Sequence, residues 1–600
     1  MRTVASLLLV GWLLSSQAAA PAHAGQPPKD VDAVPPVDAA TRADAGEWPQ
    51  PVSRAEPGMA SEPAARTSRQ SSAKPAEPPR TQVQSTRAAA EANAPAGDGT
   101  MPVRLALEAS YRVGSTFLSP MRVDSDGRQF GQSYIAEHRF WVAPRLHVGE
   151  DLTLDSELQL ASGFLGLDPP AGQLGQFGLP RDATARAFGP NQVYADQFKL
   201  RKLYLDWRTP FGALQVGRMA SVWGLGILAN SGDRIGDWGA PSFGPDRNYG
   251  DVVNRLLLAT APLAPVIDAQ WAERLVLALA ADLVTRDELT DWAAGDRGYQ
   301  GLAVLRYRQG PNQAGFWIVY RDVRNQIDDF LRVWVVDGFG HLEQQIAQLK
   351  LFATGEFAVA TGATSFGRNP AALERQTVQQ LGGVLRAGGT YRPWHLGADV
   401  ELGYASGDSN PSDPFIRNFT FDQNYNPSLV LFEELRAAET AASAARASDP
   451  ENVGQAPDSV RYLPTGGGVT NAIYLRPTIR YALEDWIPGL QLRAAVLWAR
   501  AEENVVDPYI STVTGGAGKN FQGGPASNRN YGVEVDVGID YTYSFAKSLD
   551  LALSVQGGRL WPGNAFAAAD GSRPDPINVG FVTAALNWLS PEELGTLARF

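Results

Sequence analysis

The chain has no cysteine among its 600 residues. A disulfide-stapled secreted domain, a thiolate metal centre and a cysteine nucleophile are therefore excluded. Histidine is nearly as scarce, at five residues. One of them, His23, falls in an N-terminal segment that reads as a removed signal. His395 and Asp399 share a strand face but would lie roughly 13 Å apart at ~3.4 Å per residue, too far for a hydrogen-bonded dyad. His138 and His147 fall on opposite faces. No G-x-S-x-G, H-E-x-x-H or P-loop motif occurs. No catalytic residue is assigned, the chain reads as a non-enzyme, and neither cofactor nor metal is expected. Beyond the N-terminus, no apolar run reaches the ~18 residues of a transmembrane helix. A net charge of −12 disfavours nucleic acid as a partner.

What remains is aromatic and rich in glycine. Sixty glycines and 10% aromatics accompany only 19% charged residues, a composition that suits strands with one greasy and one polar wall. Residues 1–24 read as a secretory signal: Arg2 is basic, 7–14 is a short apolar core, and Ala22-His23-Ala24 is a small-x-small cleavage site. Residues 25–100 are rich in Pro, Ala, Ser and Glu, with Trp48 as their one aromatic residue. They cannot bury enough apolar surface to offset their ordering entropy, so they read as a disordered periplasmic linker.

From Met101 the pattern has period two. Val103, Leu105, Leu107, Ala109 and Tyr111 alternate with Arg104, Glu108 and Ser110; Tyr531, Val533, Val535, Val537 and Ile539 alternate with Glu534, Asp536 and Asp540. Successive strand side chains face opposite ways, so each such segment has a lipid-compatible face and a water-compatible face. About eighteen segments of this kind are found, with sixteen as the alternative because 314–336 is weakly marked. Links at 148–151, 209–212, 310–313, 392–394, 484–489 and 546–547 are short. Those at 163–194, 220–250, 407–470, 502–529 and 560–577 are long. With a periplasmic N-terminus, every short link is periplasmic and every long one extracellular, the asymmetry of outer-membrane barrels. Trp207, Trp271, Trp394, Trp486 and Trp588 gather at one set of strand ends and Tyr111, Trp292, Trp498 and Trp561 at the other, as aromatic girdles do. The expected fold is all-β: a transmembrane antiparallel up-and-down β-barrel over 101–589, ending on a strand at 578–588, with 590–600 as a periplasmic tail.

Charges on the polar face would line the bore. The candidates are Glu108, Asp155, Glu157, Asp282, Asp399, Glu401, Arg476, Arg480, Arg493, Glu534, Asp536 and Asp540. Arg476, Arg480 and Arg493 are expected to form a basic wall, with Glu534 and Asp536 beginning an acidic one beside it. Loop 220–250 is too apolar for free solution. Trp223, Gly224, Gly226, Asp233 and Asp237 are expected to make a constriction, with the two aspartates facing the arginines. Residues 433–446 are Ala-rich and suggest a surface helix on the longest loop. Asp408 and Asp413 are oxygen-rich enough for Ca²⁺, but a Gly-Asp-Asn-Pro turn explains them without metal.

Two stretches carry a resemblance. LQVGRMASVWGLGILANSGD (214–233) looks like the strand and loop of large porin-like barrels, notably an uncharacterised myxobacterial outer-membrane family. YASGDSNPSDPF (404–415), followed by FTFDQNY (419–425), is similar to the G-D-x-N-P-x-D loop of alginate-export-type barrels. The resemblance implies an 18-stranded barrel. The reading is a Gram-negative outer-membrane channel for passive diffusion of small hydrophilic solutes. A polysaccharide exporter and a plugged structural or adhesive barrel are the alternatives. The expected partners are outer-membrane lipid and lipopolysaccharide, a small hydrophilic solute and the barrel-assembly machinery, and the expected state is a monomer or homotrimer.

Overall fold

The structure is a computed structural model that describes residues 103–131, 135–164, 199–232, 243, 251–285, 287, 290, 292, 295–366, 375–410, 413–425, 427–447, 449, 464–513 and 518–589. The signal, the linker at 25–100 and the tail at 590–600 lie outside these residues. Eighteen long strands follow one another: β1 (Val103–Leu118), β2 (Ile135–Val148), β3 (Leu152–Phe164), β4 (Lys199–Thr209), β5 (Gly212–Ala220), β6 (Val252–Thr260), β7 (Leu275–Val284), β8 (Arg297–Gln309) and β9 (Asn312–Arg324) make the first half. The second half is β10 (Phe330–Ile346), β11 (Leu349–Thr364), β12 (Gln376–Tyr391), β13 (Leu396–Ala405), β14 (Ala472–Ala482), β15 (Leu490–Arg500), β16 (Asn530–Ala546), β17 (Leu549–Pro562) and β18 (Ile577–Leu589). Each pairs antiparallel with its sequence neighbours, and β1 closes on β18 with Glu108 opposite Leu589 and Leu118 opposite Val579. Closure leaves no open sheet edge, so every strand can satisfy its backbone inside a bilayer.

Strand alternation sorts the side chains as the sequence predicts. On β13 the outward row Ala398, Val400 and Leu402 is exposed, while Gly397, Asp399, Glu401 and Gly403 are buried. On β16 the outward row is Val533, Val537 and Ile539 and the inward one Glu534 and Asp536. Leu256, Leu258, Phe316, Ile318, Leu475 and Ile479 continue the greasy exterior round the wall. Trp207, Trp271, Trp394 and Trp486 stand exposed at the short-turn ends, and Tyr111, Trp498 and Trp561 toward the other ends. No helix among the described residues is long and apolar enough to cross a membrane. The strands do the crossing, and a closed antiparallel barrel with an apolar outer wall places the protein in the outer membrane.

Links alternate in length as expected except at β6–β7, where the short-end link 261–274 is no shorter than the following link 285–296, and both ends of the barrel emerge at the short-turn end. The largest difference is at β10. The sequence Asp337-Gly338-Phe339-Gly340 reads as a link after residue 336, yet the strand runs on to Ile346. Asp337 turns its carboxylate into the barrel, where the Trp223 indole donates to it at 3.0 Å. Gly338 is needed because the rings of Phe357 and Phe316 occupy the space a Cβ would fill. The strand expected from residue 272 starts later, at Leu275, because Gln270–Glu273 form one helical turn before β7.

Candidate functional site

Two of the long loops fold into the barrel. The first follows β5. Trp223, Leu225 and Ile227 are buried, and they pack on β10 and β11, five and six strands away, so this segment crosses the bore. Glu356 of β11 holds it: its carboxylate accepts the backbone N–H of Leu225 and, at 3.3 Å, that of Ile227. Gly224 has φ +58°, and a Cβ there would strike the Glu356 carboxylate, so only glycine allows the loop to lie this close to the wall. The Trp223 ring meets Phe339 edge-on at 6.4 Å. Phe243, near the loop's far end, stacks over the guanidinium groups of Arg493 at 4.5 Å and Arg476 at 5.1 Å. Trp223, Gly224 and Gly226 belong to this segment, whereas Asp233 and Asp237 lie outside the described residues.

The second inward element corrects an expectation. The helix read as a surface feature is inside the barrel. A π-helical turn, Leu431–Arg436, leads into α1 (Ala437–Ala447), and nearly every residue of both is buried. An Ala-rich face that is a weak surface signal is what close packing in a bore requires. Glu534 of β16, fully buried, accepts the backbone N–H groups of Leu429, Val430 and Leu431 at 2.6, 2.8 and 2.7 Å. The last two are donors that a helix start leaves without intrahelical partners, and a carboxylate is well matched to them and to the helix dipole. Farther along, Arg436 pairs with Glu439 at 2.9 Å and lies over the rings of Phe521 and Tyr531. Glu439 also accepts from Gln522 at 2.9 Å, Ser443 donates to Asp507, and Arg446 pairs with Asp126. Burial pushes the Glu439 carboxyl up to about 7 against the opposing pull of Arg436 and Gln522. The two inward loops meet where the Asp422 N–H donates to the Ile227 carbonyl at 2.7 Å.

The wall charges are arranged as pairs, not as opposed walls. Asp399 sits between Arg386, at 2.8 Å, and Arg480, at 2.5 Å. Glu401 accepts from the hydroxyls of Tyr474 and Tyr425 at 2.7 and 3.0 Å, with Arg476 at 3.9 Å. Arg493 pairs with Asp540 at 2.8 Å. On the other side of the barrel Asp155 pairs with Arg145, Glu157 with Arg201 and Lys202, and Asp282 with Arg255. Glu108 is half-buried on the inward row of β1. Asp536 follows Glu534 on the same inward row and is likewise fully buried. The expected basic wall is therefore spent on carboxylates from neighbouring strands, because charges on adjacent strands fall within ion-pair reach whenever their registers match.

Burial along the inward rows is graded. Toward the short-turn end Arg104, Arg306, Arg308 and Ser544 are exposed, while Asp337 and Glu356 at mid-strand and Glu534 toward the loops are buried. The bore is thus a polar vestibule leading to a narrow, packed zone. Asp337, Glu356, Tyr425, Tyr474 and Phe243 were not among the sequence candidates. Glu356 was findable, since it breaks an otherwise uncharged inward row of Phe352, Thr354, Ala358 and Ala360. No cluster of acidic or histidine side chains fit to hold a metal occurs among the described residues. Asp408 accepts the backbone N–H of Asn410 and Arg417, and Asp413 pairs with the Arg417 guanidinium at 2.9 Å, so a cation from the chain serves this turn.

No protein-family model matches the chain, and no curated protein matches it. Among solved structures it is similar to Pseudomonas aeruginosa OccK9 (OpdG), with 12% identity, a TM-score of 0.47, and coverage of 81% of this chain and 98% of that one. It is also similar to P. aeruginosa OccK8 (OprE), at 9% identity, a TM-score of 0.45 and the same coverages. A third is P. aeruginosa OccK2 (OpdF) in complex with glucuronate, at 10% identity, a TM-score of 0.42, and coverage of 80% and 96%.

Proposed function

We propose that the chain is a porin-like channel for passive diffusion of small hydrophilic solutes through the outer membrane. One observation carries this reading: a closed 18-strand barrel whose inward face is charged along its length and opens into a polar vestibule. Barrels of this strand number leave an aqueous bore that only inserted loops can narrow. The loop at 221–230 and the segment 429–447 are the elements that set its width, and Glu108, Asp155, Glu157, Asp282, Asp399, Glu401, Arg476, Arg480, Arg493, Glu534, Asp536 and Asp540 are proposed to line it. Paired charges and a narrowed bore do not favour a polysaccharide exporter, which needs a wide, uniformly charged passage.

The depth of the buried helix favours one second reading, a barrel plugged at rest. Planar-bilayer recording separates the two: discrete steps from the purified full chain support the channel, and a silent, correctly folded barrel supports the plug. The affinity with myxobacterial and alginate-export-type barrels is proposed on the two motifs alone. Passage through the barrel-assembly machinery, contact with lipid and lipopolysaccharide, and a monomeric or homotrimeric state complete the proposal.

A further inference from the structure

Outside the bore, at the long-loop rim, a cavity of about 430 Å³ opens on the lipid-facing side of β11, β12 and β13. Its floor is the last apolar rung of the outer wall. Val359 and Leu381 face each other across two strands there, both exposed, with Phe357 and Leu385 continuing the greasy surface below them. The next rung up is polar, with Thr361 opposite Gln379. The roof comes from two loops and is held by fixed contacts. Ser406 donates to the Arg417 carbonyl at 2.6 Å, and the Glu502 carboxylate accepts the Gly407 N–H at 2.9 Å.

The charged groups at this cavity are all engaged by the protein. Arg417 is held by Asp413, Glu502 by Gly407, and Glu503 by Arg529 at 2.8 Å. The side chains of Thr361, Gln379 and Ser409, by contrast, take part in no hydrogen bond among the described residues. A cavity with neutralised charges, unengaged hydroxyl and amide groups above and an alkyl surface below selects a hydroxyl-rich head on an alkyl chain. A phosphate would need an uncompensated arginine or lysine, and a divalent cation a free carboxylate pair.

We propose that this cavity holds the sugar headgroup of an outer-leaflet glycolipid, whose acyl chain lies along Val359, Leu381 and Leu385. The inference rests on the outer-membrane placement and not on the channel reading, so the site stands or falls independently of conductance. The full chain, folded in an uncharged polyoxyethylene detergent, is titrated with dodecyl maltoside or with dodecylphosphocholine, which carries a phosphate on the same alkyl chain, and adducts are read by native mass spectrometry. One maltoside is expected to be retained per barrel under conditions that strip the phosphocholine. Replacing Gln379 and Ser409 together by alanine should weaken retention about tenfold, the equivalent of roughly one or two lost hydrogen bonds. Q379W, which fills the space, should abolish it. Folding of each variant is verified by heat-modifiable migration. Should a variant not assemble, a photoreactive dodecyl maltoside on the unaltered chain must label 379–381 or 404–409. Equal or greater retention of the phosphocholine, unchanged retention by both variants, labelling elsewhere, or full competition by free maltose would each overturn the assignment.

Discussion

Removing the Glu534 carboxylate should release the lumen helix. The substitution Glu534→Ala takes the acceptor from three backbone donors, those of Leu429, Val430 and Leu431. Hydrogen bonds to a charged acceptor contribute about 1.5–3 kcal/mol each, and a buried donor left unpaired costs a similar amount. The three share one acceptor and are not additive, so about 3–6 kcal/mol is the reasonable range for the latch. Segments inside folded proteins open locally at costs from near zero up to the global stability. A loss of this size shifts the docked and undocked populations by a factor of about 10² to 10⁴. Asp536 stands next to Glu534 on the same inward row, so the double replacement of Glu534 and Asp536 controls for a substitute acceptor. E534Q retains one carbonyl acceptor and should fall between the parent and E534A. Two assays report the release. Single-channel conductance should rise, because the widest object in the bore has moved. The chain has no native cysteine, so a cysteine placed at Ala438, buried in the parent, should become open to water-soluble thiol reagents only in the E534A background. If E534A assembles with normal heat-modifiable migration, yet keeps the parent conductance and a protected residue 438, then Glu534 is not what holds the helix.

Acidity should act on the same helix through Glu439. Burial lifts its carboxyl to about 7, against about 4.3 when solvated. The docked helix therefore gains stability that is fully present below about 4.3 and lost as pH rises through about 7. Conductance is expected to be higher at pH 8 than at pH 6, and E439Q should flatten that dependence; an equally steep response in E439Q would remove Glu439 as its source. E356A, which takes the acceptor from the Leu225 and Ile227 N–H groups, should free the first loop at a cost of about 2–4 kcal/mol, raising conductance and quenching by iodide of a tryptophan kept only at 223. Protease added to intact cells should cut within 407–470 and spare the turn at 392–394; cleavage at that turn would invert the barrel's orientation. Deleting residues 30–95 should leave barrel assembly and conductance unchanged, since the eighteen strands pair with one another and close β1 on β18, and an unassembled product would show structure there.

The barrel was legible because its physics is local and repetitive. A strand facing lipid on one side and water on the other must alternate, and rows such as Val533, Val537 and Ile539 against Glu534 and Asp536 record that along the sequence. Loop lengths then phase the two ends. The errors fell where one residue type had two meanings. Asp337-Gly338 carries the composition of a turn, and only the Trp223 indole and the rings around Gly338 show why it stays extended. Residues 433–446 carry the composition of an exposed helix, and only the carboxylate three strands further along the chain, at 534, shows why it is not.

The site was harder to read than the fold for a related reason. Strand patterns say which side chains face inward, but not what meets them there. Two inward loops need anchors, and in both cases the anchor is a single inward carboxylate accepting consecutive or near-consecutive backbone N–H groups: Glu356 for Leu225 and Ile227, Glu534 for Leu429 to Leu431. A backbone N–H leaves no mark in the sequence, so neither contact could be found by pairing charges of opposite sign. The same reasoning explains the failed expectation of a basic wall. Arg480 and Arg493 were counted as free because their partners, Asp399 and Asp540, belong to neighbouring strands whose register the sequence does not state. Charges that pair along the wall leave the carboxylates that face loops as the ones that hold inserted segments, and that division of labour is what makes Glu534 and Glu356, rather than the arginines, the anchors of the two inward loops.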